Sequence, residues 1–243
     1  MSINHYEDET FFDAYAKMQR SQYGLSCAGE WYLLENMLPE IKDKQILDLG
    51  CGYGWHSQYF VDCGANKVIA IDCSKKMIET AKMKHTHPKI EYHICNLEEY
   101  NYPTSTFDMV FSNLVLHYVE DLTAVYRKVY QTLKPNGEFI FNIEHPVFTA
   151  GINQDWIYNA QGDIEYWAID MYYYSNKRNT QFLGCDIQKY HHTLTQIINE
   201  LIVCGFVIET IQEVCPNEEM LKQPDMIHEM RRPMMLLVKV RKK

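Results

Sequence analysis

Residues 46–54 read Ile-Leu-Asp-Leu-Gly-Cys-Gly-Tyr-Gly, a short aliphatic run that breaks into three alternate glycines. The run predicts a buried strand over 45–49 ending at Gly50, because a few apolar residues bounded by glycine suit a strand and are too few for a helix. Glycine at 50, 52 and 54 lets the chain turn with positive φ and approach closely whatever lies beyond the strand. Working outward, helical spacing follows over 55–63, with Gly64 as its left-handed stop. A second strand is predicted over 67–71, ending in Asp72, and Ser74 is placed to cap a helix over 75–84. Further strands fall at 90–95 and 107–112. From Asp121, an apolar face of Leu122, Val125, Val129 and Leu133 marks a helix that stops in Lys134-Pro135-Asn136-Gly137, a tight-turn sequence. A fifth strand follows at 138–143. Strands alternating with helices in this way build a parallel sheet with crossover helices.

The alternation lapses over 146–190, where Trp156, Tyr158, Tyr166, Trp167, Tyr172, Tyr173 and Tyr174 stand among polar residues with no sustained helical period. We read this as an aromatic-rich insertion. Thr193-Leu194-Thr195-Gln196 fits a capping box opening a helix that ends at Gly205, and 206–214 and 234–240 read as an antiparallel pair of final strands. No repeat or linker divides the chain, so one domain is expected.

Composition narrows the function. The chain has 243 residues, 47% apolar and 23% charged, ordinary values for a folded globular protein with a substantial core. Its formal charge of −9 gives no general attraction to a polyanion or an acidic membrane face, so neither nucleic acid nor a membrane is expected as a partner. No secretory signal pattern opens the sequence and no apolar stretch approaches the roughly 20 residues a bilayer span needs, which points to the cytoplasm. The 8 cysteines include no Cys-x-x-Cys pair and read as small hydrophobes, with no metal site and no disulfide framework.

The glycine loop can be tested against known ligand classes. A dinucleotide loop requires Gly-x-Gly-x-x-Gly, yet the third position is Trp55 counted from Gly50 and Ser57 counted from Gly52. A Walker-type Gly-Lys-Ser/Thr ending is absent as well. Asp48 at the loop's mouth would repel a pyrophosphate but can pair with an ammonium group. Asp72, at the end of the second strand and about 20 residues beyond the loop, matches the acidic position that accepts hydrogen bonds from ribose hydroxyls. Together they ask for a nucleoside with a cationic tail.

With these features in place, residues 46–54 resemble the first motif of the class I S-adenosylmethionine-dependent methyltransferases. Residues 68–77 resemble their ribose-holding motif, 107–113 their fourth-strand motif and 133–137 the turn before strand five. Leu116-His117-Tyr118, Glu144-His145-Pro146 and Arg231-Arg232-Pro233-Met234 are similar to a bacterial small-molecule subgroup related to quinone-biosynthesis C-methyltransferases. One departure is Asn96, where the family usually carries Asp to bind the adenine amino group. The amide oxygen can still accept that bond with less charge assistance, and Glu98 stands nearby.

The resemblance implies an α/β fold: a Rossmann-like, doubly wound seven-stranded sheet, mostly parallel with an antiparallel last strand and flanked by helices. It divides the domain into a helical lead-in (1–44), a cofactor-binding core (45–145), an inserted substrate cap (146–190) and a C-terminal helix and strand pair (191–243). It further implies S-adenosyl-L-methionine as cofactor, S-adenosyl-L-homocysteine as product and a small-molecule methyl acceptor. Gly50 and Gly52 would lie against the methionine part, with Asp48 beside them, and Asp72 would hold the ribose. Cys73 and Met77 would pack on the adenine, Asn96 and Leu97 would read its edge, Asn113 would face the methionine end, and Tyr15 would close over the carboxylate.

A methyl donor that is already activated leaves the protein chiefly to align the reactants, so a general base is needed only if the acceptor must lose a proton. Glu144, His145 and His191 are the candidates by position and titration range. Plainer readings stand beside these: Glu144 and His145 in a turn fixed by Pro146, with Glu144 bonded to main chain, and His191 and His192 as partly exposed residues at a helix start; His117 either faces the cofactor or, more simply, is a packed histidine at a strand's exit. The aromatic series could line a substrate pocket or a homodimer face. Arg231 and Arg232 read most simply as solvated charge, with capture of an acidic substrate as the alternative. Competing functions are a non-catalytic cofactor-binding protein or partner subunit, and a methyltransferase acting on a macromolecule. The acidic balance and the lack of an Asn-Pro-Pro-Tyr-type sequence after strand four weigh against the last.

Overall fold

The computed structural model describes residues 5–243, so residues 1–4 of the lead-in lie outside the described residues. Helices α1 (Glu9–Ala16), α2 (Gln19–Tyr23) and α3 (Trp31–Met37) precede the sheet. Asp8 starts α1 by accepting the Phe11 N–H at 2.9 Å, and the Phe11 ring it directs inward is fully buried. Then follow β1 (Gln45–Leu49), α4 (Trp55–Asp62), β2 (Lys67–Asp72), α5 (Lys75–Lys84), β3 (Ile90–Ile94), β4 (Phe107–Asn113), α6 (Leu122–Thr132) and β5 (Leu133–Glu144). Ser74 and Asp121 cap α5 and α6 through their side-chain oxygens.

One boundary differs from the sequence reading. Leu133, expected on the helix face, is already paired with Phe107, and the next pairs are Met109 with Glu138, so Lys134–Gly137 form an irregularity inside β5. Asn136 adopts a φ of 63° there. The turn residues supply the left-handed kink of a bulge, without ending one element before the next begins.

Beyond β5 come α7 (Pro146–Thr149), β6 (Gly151–Tyr158), β7 (Ile164–Ile169), β8 (Lys177–Phe182) and β9 (Cys185–Tyr190). The insertion is therefore two antiparallel hairpins standing apart from the main sheet. The chain closes with α8 (Leu194–Val203), β10 (Phe206–Glu213), α9 (Met226–Glu229) and β11 (Met235–Lys242). The capping box at Thr193 and Gln196 has both of its reciprocal bonds.

The seven-stranded sheet runs β10-β11-β5-β4-β1-β2-β3, with β11 antiparallel to both of its neighbours and the other pairs parallel. On one face Leu47, Leu49, Val110, Phe139 and Phe141 pack under α6 and α8. On the other, Ile46, Val68, Met109, Phe111 and Ile140 pack under α3, α4 and α5. Successive residues of a strand serve opposite cores, which is why these strands are apolar throughout. Because β1 lies between β2 and β4, the chain leaves β1 and β4 toward opposite faces of the sheet. The crevice between those exits is where such sheets bind ligands. Among the described residues no helix is long and apolar enough to cross a membrane.

Candidate active site

The loop after β1 is held to its neighbour strand, since the N–H groups of Gly50 and Cys51 both donate to the Ile71 carbonyl, at 2.8 and 2.9 Å. Gly50 and Gly54 have positive φ, and a Cβ at either would collide, 2.2 Å from Val115 Cγ2 or 2.6 Å from the Tyr92 hydroxyl. Gly52, with φ +53°, differs: a Cβ there would meet nothing within 4 Å. It would project into open space at the mouth of a cavity of about 230 Å³. That open cradle beside a bare backbone fits a ligand lying along the loop.

Asp72 closes the next side. Its Oδ2 accepts the Gly52 N–H at 2.9 Å and its Oδ1 the Ser74 N–H at 2.8 Å, which leaves each oxygen a lone pair for a hydroxyl donor. Burial pushes its pKa up to about 6, against the pull of these two bonds. Cys73, Met77, Asn96, Leu97 and Glu98 continue the wall. The Asn96 carbonyl oxygen accepts the Glu98 N–H at 2.9 Å, which fixes the amide's direction.

Asp48 does not reach the cavity. Only 1% exposed, it sits behind the loop, where Ser57 Oγ donates to its Oδ2 at 2.6 Å. Burial, reinforced by the charge of Asp72, pushes its pKa up to about 7. Strand alternation explains the correction, since Leu47, Asp48 and Leu49 project alternately and position 48 faces the α4 side. The charge that does border the cavity, Arg20, came from the lead-in and carried no local signal; its partner Glu30 stands behind it, 1% exposed. Arg20 Nη2 lies 2.6 Å from Glu30 Oε1, and the same oxygen accepts Asn113 Nδ2 at 3.0 Å. Asn113 is itself held by Asn142 Nδ2 at 2.8 Å. Burial opposes ionisation of Glu30, but Arg20 and Asn113 outweigh it and hold its pKa below the ordinary range. Glu30 Oε2 remains buried without a partner. Tyr15 lines the cavity too, edge-on to Tyr6 at 5.5 Å and to Tyr53 at 5.6 Å.

The far end of the cavity is built by Glu144 at the end of β5, His117 and Tyr118 after β4, and Phe182, Gln188 and Lys189 of the second hairpin. Lys189 Nζ lies 2.5 Å from Glu144 Oε1, and His117 Nε2 is 3.9 Å from the same oxygen. The Glu144 side chain therefore faces an ammonium, not a main-chain turn. Burial lowers the His117 pKa to about 4, although Glu144 opposes the shift. The lead-in roofs this end: His5 Nε2 accepts the Gln188 N–H at 3.1 Å, and Phe11 meets Phe182 at 5.9 Å. Lys189 escaped the sequence reading because a lysine in a polar strand looks like solvated charge, while His117, read as a packed histidine or as facing the cofactor, lines the cavity.

Two proposed bases stand elsewhere. His145 caps α7, its Nδ1 accepting the Val147 N–H at 3.0 Å while Nε2 lies 3.1 Å from Glu213 Oε1. His191 is fully buried, with Nδ1 2.6 Å from Thr149 Oγ1 and Nε2 2.8 Å from the Tyr172 carbonyl. Both ring nitrogens are occupied, and the ring borders a separate shallow hollow with His192, which is also buried and bonded to the Val119 carbonyl. The β9–α8 junction tucks under the hairpins, so neither histidine is at an exposed helix start. Burial lowers the pKa of both His145 and His191.

Arg232 likewise departs from the solvated-charge reading. It is buried against the rings of Phe148, Trp156 and Trp167, 4.6 to 5.1 Å from their centroids, and pairs with Glu229 at 2.7 Å. The tryptophans of the insertion thus hold an arginine, and none of the series from Trp156 to Tyr174 lines the cavity.

Residues 47–141 match a family model described as a methyltransferase domain. An S-adenosylmethionine dependent methyltransferase from Mesorhizobium loti, known as a crystal structure, is 38% identical, with a TM-score of 0.84 over 90% of this chain and 100% of that one. A Listeria monocytogenes protein provisionally assigned to the same class is 43% identical, with a TM-score of 0.87 over 90% of this chain and 99% of its own. An uncharacterised Haemophilus influenzae protein is 32% identical across 99% of this chain and 97% of its own length.

Proposed function

The chain belongs to the class I S-adenosylmethionine-dependent methyltransferases, and from that premise we propose that it methylates an oxygen, nitrogen or carbon nucleophile of a small molecule. The observation that carries the small-molecule reading is the roofed far end of the cavity, where His5 and Phe182, the latter backed by Phe11, line the space with Glu144. Enclosure favours a compact acceptor over a protein or nucleic-acid surface, and a net charge of −9 supports the same choice.

When bound, S-adenosyl-L-methionine supplies a methyl group already activated on a sulfonium. The protein's own residues then have four tasks. Asp72 accepts the ribose hydroxyls, and its fixed bonds to Gly52 and Ser74 hold the loop against the ligand. Cys73 and Met77 flank the adenine, with Asn96 and Leu97 at its edge. At the amino-acid end Arg20 takes the carboxylate, held in place by the buried Glu30 behind it, with Asn113 beside it on the cavity wall. Tyr6, Tyr15 and Tyr118 exclude water from the reacting region, where alignment supplies most of the rate. Glu144 is the base for an acceptor that must lose a proton, since it alone of the three sequence candidates lines the cavity.

Calorimetry with S-adenosyl-L-homocysteine, followed by transfer of label from isotopically labelled cofactor into fractionated metabolite extracts, tests this function. A labelled product in the small-molecule fraction is expected. Label confined to macromolecules would overturn the acceptor class, and no affinity for the product would overturn the cofactor assignment.

A further inference from the structure

The far end of the cavity holds a group of buried polar atoms beyond the residues assigned to the cofactor. Lys189 and Glu144 form an ion pair at 2.5 Å in which the lysine side chain is 4% and the glutamate 12% exposed. A purely structural pair would have its remaining atoms satisfied, because buried polar groups nearly always find partners. Here Glu144 Oε2, His117 Nδ1 and Gln154 Nε2 are all buried without one, and Gln154 Oε1 is 3.4 Å from the same Lys189 Nζ. Three unpartnered atoms thus belong to or adjoin one ion pair at the cavity wall. The position is set by the sheet: Glu144 lies two residues beyond Asn142, the register partner of Asn113, so it stands next to the place given to the methionine end.

Resting on the methyltransferase reading, we propose that Lys189, Glu144 and His117 form the acceptor subsite, and that it selects a flat, uncharged molecule presenting a hydroxyl or ring N–H beside a carbonyl. The carboxylate accepts a hydrogen bond and the ammonium donates one, so together they complement a neutral edge that offers one donor and one acceptor. A carboxylate ligand would meet the repulsion of Glu144, and an ammonium ligand that of Lys189. His117 adds no charge at pH 7, because burial keeps its pKa near 4. A planar acceptor suits the walls, because the rings of His117, Tyr118 and Phe182 line the same end of the cavity and aromatic faces stack on planar groups. The two sides of the subsite come from the carboxyl ends of the interior strands β4 and β5 and from the inserted hairpin, so the insertion supplies the selectivity.

The test compares 2-pyridone, benzoate and benzylamine, three probes of similar size, as ligands of the wild-type protein loaded with S-adenosyl-L-homocysteine at pH 7. Calorimetry is expected to show 2-pyridone binding at least about tenfold more tightly than either charged probe. Lys189→Met should move benzylamine to first place and Glu144→Gln should move benzoate there. The double variant, which carries no buried charge, should lose the preference for 2-pyridone. Wild-type protein that binds a charged probe as tightly as 2-pyridone, or none of the three, overturns the subsite while leaving the cofactor assignment intact. Variants whose ranking is unchanged overturn it as well. Failure of the wild-type protein to bind S-adenosyl-L-homocysteine overturns both the subsite and the reading beneath it.

Discussion

Replacing Asp48 by Asn tests whether the first acidic residue of the loop motif is a buried acid or a cofactor ligand. The side chain is 1% exposed and accepts a hydrogen bond from the Ser57 hydroxyl. Its pKa of about 7 in the fold lies well above the value near 3.9 of an unfolded aspartate. Between those values the native state binds more protons than the unfolded state, so this group's contribution to stability is greatest below about pH 4 and falls as pH rises to about 7. At about 1.4 kcal/mol per pH unit, the fall between pH 5.5 and 7 amounts to about 2 kcal/mol. Asparagine does not titrate and can still accept from Ser57, but its amide nitrogen gains no acceptor, which costs about 1–2 kcal/mol at every pH. The slope, not the offset, is therefore diagnostic. Urea unfolding at several values from pH 5.5 to 8 should show Asp48→Asn gaining about 2 kcal/mol on the wild type up to pH 7 and level thereafter. Asp72, with its pKa near 6, tilts both curves and largely cancels in the difference. Affinity for S-adenosyl-L-homocysteine should stay within about threefold, since a bond worth 1.4 kcal/mol would shift it tenfold. Parallel stability curves, or a cofactor affinity lowered tenfold or more with the fold intact, would refute the reasoning.

Asp72→Ala removes the acceptors proposed for both ribose hydroxyls, a loss of about 3 kcal/mol or roughly a hundredfold in affinity for S-adenosyl-L-homocysteine; unchanged affinity by calorimetry would remove the ribose assignment. Arg232→Ala should destabilise the protein by about 2–4 kcal/mol, because it empties a site walled by three aromatic rings. Chemical denaturation would measure this, and a change under 0.5 kcal/mol would count against the packing role. His145→Ala should cost about 1 kcal/mol through the lost cap of α7 and leave turnover of a labelled acceptor unaltered. A large fall in turnover with unchanged stability would return His145 to the reaction.

The fold was legible because local patterns agreed with one another. Residues 45–49, 67–72 and 107–113 are apolar at nearly every step that faces a core, Asp48 and Ser112 being the buried polar exceptions, and Ser74, Asp121 and Thr193 mark helix starts with the side-chain caps the structure contains. Misreading at Leu133 arose because residues that build a turn also build a bulge. The hairpins of 151–190 left no clear pattern because the faces that β8 and β9 turn inward carry Thr180 and Lys189 as well as Ile187, and polar residues on a buried face break the apolar alternation that marks a strand.

Sequence by itself determined the sheet, the crevice at Gly50–Gly54 and the acid at 72, since each depends on residues adjacent in the chain whose types are constrained by backbone conformation. Tertiary structure decided which side chains share the cavity. It turned Asp48 away, set Arg20 beside Glu30 and Asn113, and brought Lys189 from the inserted hairpin to Glu144 across 45 positions. Contacts of that span are fixed by how the strands are ordered and how the insertion folds back, and neither is encoded in any local run of residues.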